Sequence, residues 1–152
     1  MRLAQFINIF LFALVAGVLW GTWFSLSRSI ASITPAAFLE IGRTMIRNLA
    51  RPMRILMPAS ILSAITALFL LRRWQPAAAF YFALTGLMLF VGVLLVTLLV
   101  NVPIDNQIKQ WTLETLPSDW KRTRDRWQFY HTVRTLASLA GLGCALASGL
   151  FF

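Results

Sequence analysis

An all-α integral membrane four-helix bundle, with short interfacial helices in its two long loops, is the fold this sequence predicts. Three observations carry the prediction. Four long apolar stretches recur along the 152 residues. Charged residues make up only 12% of the chain and hydrophobic ones 59%, whereas a soluble domain is about one quarter charged. The 14 lysines and arginines fall mostly between the apolar stretches. With a mean hydropathy of +0.72, lipid is the natural solvent for such a chain, and one domain, residues 1–152, is the natural count.

The elements follow in order. Leu3 to Leu26 is the first apolar run. It is too long for a signal-peptide core, and Trp20, Trp23 and Phe24 occupy the zone where a small-residue cleavage site would fall, so a retained span is expected. Ile55 to Leu71 is the second, with Pro58 in its first turn, where proline is tolerated. Arg72-Arg73-Trp74-Gln75-Pro76 reads as a tight connection. Ala77 to Val100 carries no charge at all, and at 1.5 Å per residue it is longer than the ~20 residues needed to cross the hydrocarbon. Phe129 to Phe152 is the fourth. The expected spans are therefore about 3–26, 55–71, 77–100 and 129–152.

Both long loops contain helical pieces. Pro35 after Thr34 is a helix-start pattern, and Phe38, Ile41, Met45 and Leu49 then recur every three or four residues. In the later loop, Ile104, Ile108 and Trp111 share a face. Pro117 breaks the chain, and Ser118 and Asp119 are positioned to cap a helix that continues unbroken through the fourth span. These amphipathic pieces lie at the head-group level or fold back over the mouth of the bundle.

The formal charge of +9 suits anionic lipid head groups and topology control better than nucleic acid. Arg28, Arg43, Arg47, Arg51 and Arg54 in the first loop, with Lys109, Lys121, Arg122, Arg124 and Arg126 in the third, face only Arg2, Arg72 and Arg73 on the other side. This asymmetry predicts cytoplasmic long loops and both termini outside the cell membrane. Cys144 is alone, which excludes an intramolecular disulfide and a thiolate metal cluster. Ala13, Gly17, Gly21 and Ser25 in the first span, and Ala137, Gly141, Ala145 and Gly149 in the fourth, form small-xxx-small ridges. They predict contact between spans one and four. Homo-oligomerisation through one ridge is the alternative.

The most informative segment is the polar, tryptophan-rich cassette from Asn101 to Arg134. Trp120, Arg124, Trp127, His131 and Arg134 follow at spacings of four, three, four and three, which is one helical face, and Ser138 continues it. Ionisable groups where a membrane helix begins are costly and are by default a functional hypothesis. The face is expected to point into the bundle mouth near Asn101, with Trp20 and Trp23 completing the wall. Plainer readings stand beside this one. Trp74, Trp111, Trp120, Trp127 and Tyr130 serve equally as interfacial anchors. Arg122, Arg124 and Arg126 are ordinary solvated charges. Arg134 snorkels, or pairs with Asp105, Asp119 or Asp125. Asn101 and Pro103 simply end span three. The chain has no Gly-rich nucleotide loop, no Ser-His-Asp set and no carboxylate within the expected spans. One histidine and one cysteine do not make a usual zinc or iron site. Haem held by a single histidine is the remaining metal alternative.

The order Asn101-x-Pro103-Ile104-x-Asn106, Trp111, then Trp127-x-x-x-His131-x-x-Arg134 resembles the anthrone oxygenase family of small four-span membrane proteins. Gly17-x-x-x-Gly21-Thr22-x-Phe24, Met45-Ile46-Arg47-Asn48, Pro52-Met53 and Met57-Pro58 extend the resemblance over nearly the whole chain. The motifs are short, and their order carries the specificity. The resemblance implies oxidation of anthrone- or quinone-like aromatics by dioxygen with no metal or flavin cofactor. His131, Arg134 and Asn101 would then be catalytic: His131 would take a proton as a neutral imidazole, and Arg134 and Asn101 would stabilise the enolate oxygen. Trp127 would stack on the ring, with Trp20, Trp23, Asn106 and Arg124 as further binding residues. The competing class is a non-catalytic membrane module that binds lipid, quinone or haem.

Overall fold

The computed structural model describes residues 2–74 and 76–151, the side chains of 73 and 74 excepted. The expected connection at 72–76 therefore includes Gln75, which lies outside the described residues, as does the Trp74 anchor's side chain. No strand occurs among the described residues. Four helices are long and apolar enough to cross a membrane, Arg2–Ser32, Pro35–Arg72, Ala77–Gln110 and Trp120–Leu150, and this is a multi-span membrane protein.

Helix α1 (Arg2–Ser25) leads into a single 3₁₀ helix (Ser27–Ser32). Helix α2 (Pro35–Trp74) starts as the sequence predicts: proline occupies the first position, and the Thr34 hydroxyl accepts the Ala37 amide at 3.3 Å. Its length corrects the expectation of a separate loop helix followed by a span beginning near 55. It runs 40 residues through Pro52 and Pro58. Each proline removes one rung of the hydrogen-bond ladder. The carbonyls so freed belong to Asn48 and Arg54, which are exposed, as are both prolines. No rung is lost inside the core, and packing of the inward face keeps the helix whole.

The third span is likewise longer than expected. Helix α3 (Ala77–Val96), a π turn (Thr97–Asn101) and helix α4 (Val102–Gln110) form one continuous rod. Asn101 and Pro103 do not end it. Proline cannot donate to the preceding turn, and the wider π turn takes up the irregularity, with Asn101 capping nothing. Helix α5 (Trp120–Leu150) is unbroken. Neither Ser118 nor Asp119 caps it through a side chain. The Trp120 amide instead reaches the Pro117 carbonyl at 3.1 Å, and the Arg122 amide the Asp119 carbonyl at 2.8 Å.

Around the bundle, α1 packs on α2 and α5, and α3 packs on the same two. Phe12 of α1 and Phe90 of α3 meet across the middle, stacked at 3.4 Å with planes 9° apart, and both are fully buried. The tightest approach is between α3 and α5. A Cβ on Gly141 would sit 2.8 Å from the Phe90 ring, and one on Gly86 would sit 3.0 Å from the Gly141 carbonyl. The α5 ridge is thus used, but mainly against α3. Contact between α1 and α5 is present, yet the α1 ridge does not make it: Ala13, Gly17, Gly21 and Ser25 are all exposed, and nothing lies within 4 Å of a Cβ on Gly17 or Gly21. The face that α1 buries carries Asn8, Phe12, Val15, Ala16 and Leu19. Larger residues on that face gain more contact area, and this decides the register.

A second apolar core closes over one end of the bundle. Ile30, Phe38, Leu39, Ile104, Ile108 and Trp120 form it, with Trp111 and Trp127 packed alongside. The amphipathic pieces therefore fold back over the mouth. Arg43 clips this cap by donating to the Trp111 carbonyl.

Candidate functional site

The predicted stripe on α5 faces inward. Trp120, Arg124, His131, Thr135 and Ser138 are buried, and Trp127 and Arg134 are half-buried. His131 retains 1% of its surface and Asn101 none. The spacing that places them on one face also places them under the cap, where water is scarce and every polar contact is strengthened.

The cluster is built outward from the imidazole. The Trp127 ring stacks on His131, with centroids 4.9 Å apart and planes 16° apart. Arg134 donates to His131 Nδ1 through Nε at 3.1 Å and Nη2 at 2.9 Å, and through Nη1 to the Thr97 hydroxyl at 3.2 Å. Trp127 Nε1 donates to Asp105 Oδ1 at 3.0 Å, and Asn101 Nδ2 reaches the Trp127 carbonyl at 3.5 Å. Asp105, Trp127, His131 and Arg134 thus form one relay, hydrogen-bonded at its two ends and joined in the middle only by ring stacking. Asp105 is the carboxylate that interacts with Arg134 electrostatically, although the two are not within ion-pair distance. Asp119 and Asp125 are not partners of Arg134, and Asp125 instead binds Arg124 at 2.8 Å.

This geometry assigns the tautomer. A nitrogen that accepts from a guanidinium carries no proton, so the neutral ring holds its hydrogen on Nε2. Nε2 is buried and has no hydrogen-bond partner. The Leu19 carbonyl acts on the ring without reaching hydrogen-bond geometry. As arranged, Nδ1 of His131 is occupied by Arg134 and Nε2 is left as a donor. Three further buried oxygens lack partners: Asn101 Oδ1, Gln128 Oε1 and Ser27 Oγ. Unpaired buried polar atoms are uncommon and call for an explanation.

The remaining predicted residues are dispersed. Trp23 Nε1 donates to the Thr132 hydroxyl at 3.1 Å and not to the imidazole. Trp20 is 41% exposed and stacks on Trp23. Asn106 is exposed and accepts from Lys109 at 3.1 Å. Arg124 is buried beside Trp120, with its charge 5.3 Å from the ring centroid. These four do not join the His131 cluster, because their partners lie on other faces or two turns away.

Two polar residues of the cluster, Thr97 and Asp105, fall outside the predicted set. Thr97, Asn101 and Asp105 recur every four residues, and the spacing argument applied to α5 would have found them on the third span. Beside the cluster lies a narrow cleft. Its lining is aliphatic and aromatic, from Leu26 and Ile30 through Phe38, Met45 and Ile108, with Asp105 as its one charged group. Trp127 also lines it and His131 does not, so the indole stands between cleft and imidazole.

Fold and site together define a small multi-span membrane protein with a polar relay beside an apolar pocket under a folded-back cap. Residues 47–144 match the anthrone oxygenase family profile, and the chain belongs to that family. The match takes in α2 from Arg47, the rod of α3 and α4, and α5 as far as Cys144. No curated protein and no solved structure shows a significant match.

Proposed function

We propose that the protein is an integral membrane oxygenase that oxidises a flat, apolar, electron-rich aromatic of the anthrone or quinol type with dioxygen. The observation that carries this reading is the relay of Asp105, Trp127, His131 and Arg134 set directly behind an otherwise apolar cleft. A membrane-dissolved aromatic matches the lining, and its developing negative charge lies in the field of Arg134, behind the Trp127 indole. Asn101, whose amide reaches the Trp127 carbonyl, keeps an unpaired oxygen on the same level. For anthrone itself the equation balances as anthrone plus O₂ giving anthraquinone plus water. One oxygen atom enters the former methylene carbon, and the other is reduced to water with its two hydrogens.

Arginine asymmetry supports a cytoplasmic mouth, with Arg28, Arg43, Arg47, Arg51 and Arg54 all exposed at that end. The reading requires no metal or flavin.

The test is oxygen uptake by detergent-purified protein supplied with anthrone, followed by mass spectrometry of the product under ¹⁸O₂. Incorporation of one labelled atom, with a loss of about 10²–10³-fold in His131→Ala, is the expected result. Full uptake in that variant rejects the role of His131. No uptake by the native protein on anthrones or quinols rejects the oxygenase reading and leaves a binding module. A Soret band in the purified protein would replace both with a haem protein.

A further inference from the structure

The proposed reaction begins with loss of a proton, and the histidine is not arranged to receive it. Nδ1 already accepts twice from Arg134, and the ring lies behind Trp127. The cleft has its own candidate. We propose that the cleft binds a flat aromatic carbon acid or phenol, and that Asp105 is the group that takes its proton. This rests on the oxygenase reading for the class of molecule.

Three observations place Asp105 in that role. It sits one turn beyond Asn101 on α4 and lines the cleft among aliphatic side chains. Its Oδ1 is held by the Trp127 indole at 3.0 Å, which fixes the carboxylate and leaves Oδ2 for a ligand. Among the described residues, no cation lies within ion-pair distance of it. Arg134 and Lys109 act on it from a distance, but Arg134 is engaged with His131 and Thr97, and Lys109 with Asn106. A half-buried carboxylate without a paired cation is costly in such surroundings. Packing alone gives no reason for it, since a leucine would fill the same wall.

The electrostatics of the transfer are favourable for a simple reason. The C–H or O–H bond of the ligand breaks, the proton goes to Oδ2, and the electron pair stays on the ligand as an enolate or phenolate. The negative charge moves a few ångströms from Asp105 to the ligand and remains in the field of Arg134. The step therefore adds no net charge to the apolar cleft. Trp127, lining the cleft and stacked on His131, brings the ring of the ligand and the relay into register.

The experiment isolates proton transfer from oxidation. Anthrone is incubated anaerobically with the detergent-purified protein in D₂O, and deuterium uptake at its methylene carbon is followed by NMR against a detergent-only control. Native protein should accelerate exchange, Asp105→Asn should lower that acceleration about a hundredfold, and Asp105→Glu should restore part of it. Met45→Trp, which fills the cleft, should abolish it. Helical circular dichroism and monodispersity in detergent establish that each variant is folded.

Exchange that survives in Asp105→Asn, or in Met45→Trp, overturns the proposal. So does a native protein that consumes oxygen on anthrone but catalyses no anaerobic exchange, and in that case the oxygenase reading stands. Exchange without any oxygen uptake has the opposite meaning: Asp105 is the proton acceptor, and the oxygenase reading fails.

Discussion

The two ends of the bundle treat their polar groups differently. At the end that carries both termini, the buried polar side chains are satisfied. Ser63 donates to Asn8 at 3.3 Å and to the Ser60 carbonyl at 2.8 Å, Ser60 donates to the Met57 carbonyl, and Ser148 of α5 donates to the Ala79 carbonyl of α3 at 2.8 Å. At the mouth, under the cap, sit Ser27, Asn101, Gln128 and His131, each with a buried atom that lacks a partner. The stacked Phe12 and Phe90 lie between the two ends. The contrast separates polar groups that fix helix positions from polar groups held ready for something else, since an unmet buried atom costs about 1–3 kcal/mol.

The sharpest way to break that contrast is at Arg134. Arg134→Met keeps volume and removes every donor to His131 and Thr97. The change leaves Nδ1 of His131 unpaired, so it should cost about 1–3 kcal/mol of stability, while oxygen uptake per folded molecule falls about 10²–10³-fold. A large loss of stability with uptake per folded molecule unchanged would make the mouth cluster structural, like the other end.

Gly141→Ala probes the middle of the bundle, between the two ends. The new Cβ would lie 2.8 Å from the Phe90 ring, and through Phe90 it would disturb the stack on Phe12. Overpacking of this kind costs about 1–3 kcal/mol. Unfolding in a detergent series should show that loss, while turnover per folded molecule stays within about twofold. A selective loss of turnover would mean that the two ends are coupled through the aromatic stack.

A matched pair sharpens the comparison further. Ser148→Ala removes an interhelical donor and should cost about 0.6 kcal/mol, the scale of such bonds in membranes. Asn101→Leu removes only a 3.5 Å bond together with an orphaned oxygen, and its cost should lie near zero. If Asn101→Leu is the more damaging of the two in the same unfolding assay, the unpaired oxygen is not idle in the resting protein.

What the sequence could announce follows the same division. The four spans were legible because lipid imposes a length and a composition that no other element shares. The inward stripe of Trp127, His131 and Arg134 was legible because helical spacing alone fixes which residues share a face. The continuity of α2 through Pro52 and Pro58 was not, since it depends on where the freed carbonyls of Asn48 and Arg54 point. Nor was the choice of ridge: Gly17 and Gly141 have the same local pattern, and only the partner surface, with Phe90 and Gly86 facing Gly141, decides between them. Asp105 was weighed as a partner for Arg134 and not as a group of its own, because the cleft it lines is made by residues far away in the chain. Trp20 and Trp23 were assigned to the site on proximity along the membrane normal, which does not fix direction around a helix.

The smallest expected effect lies outside the membrane, in the turn between α4 and α5. The Thr112 amide donates to the Thr115 hydroxyl at 2.8 Å, and the Thr115 amide to the Thr112 hydroxyl at 3.2 Å. Beside them, the Glu114 carboxyl is held below its ordinary value, first by the Thr112 hydroxyl and then by its own backbone amide. A carboxylate whose folded value is depressed adds stability above its unfolded value and loses it as pH falls through the folded one. Acid should therefore loosen this turn, and Thr112→Val should move the Glu114 titration upward when followed by NMR. Because Glu114 is fully exposed, solvent screens the interaction, so neither the unfolding midpoint nor oxygen uptake should respond. A change in uptake across the Glu114 titration in native protein that vanished in Thr112→Val would tie the cap to turnover, and the mouth would then extend beyond the relay to the loop that closes it.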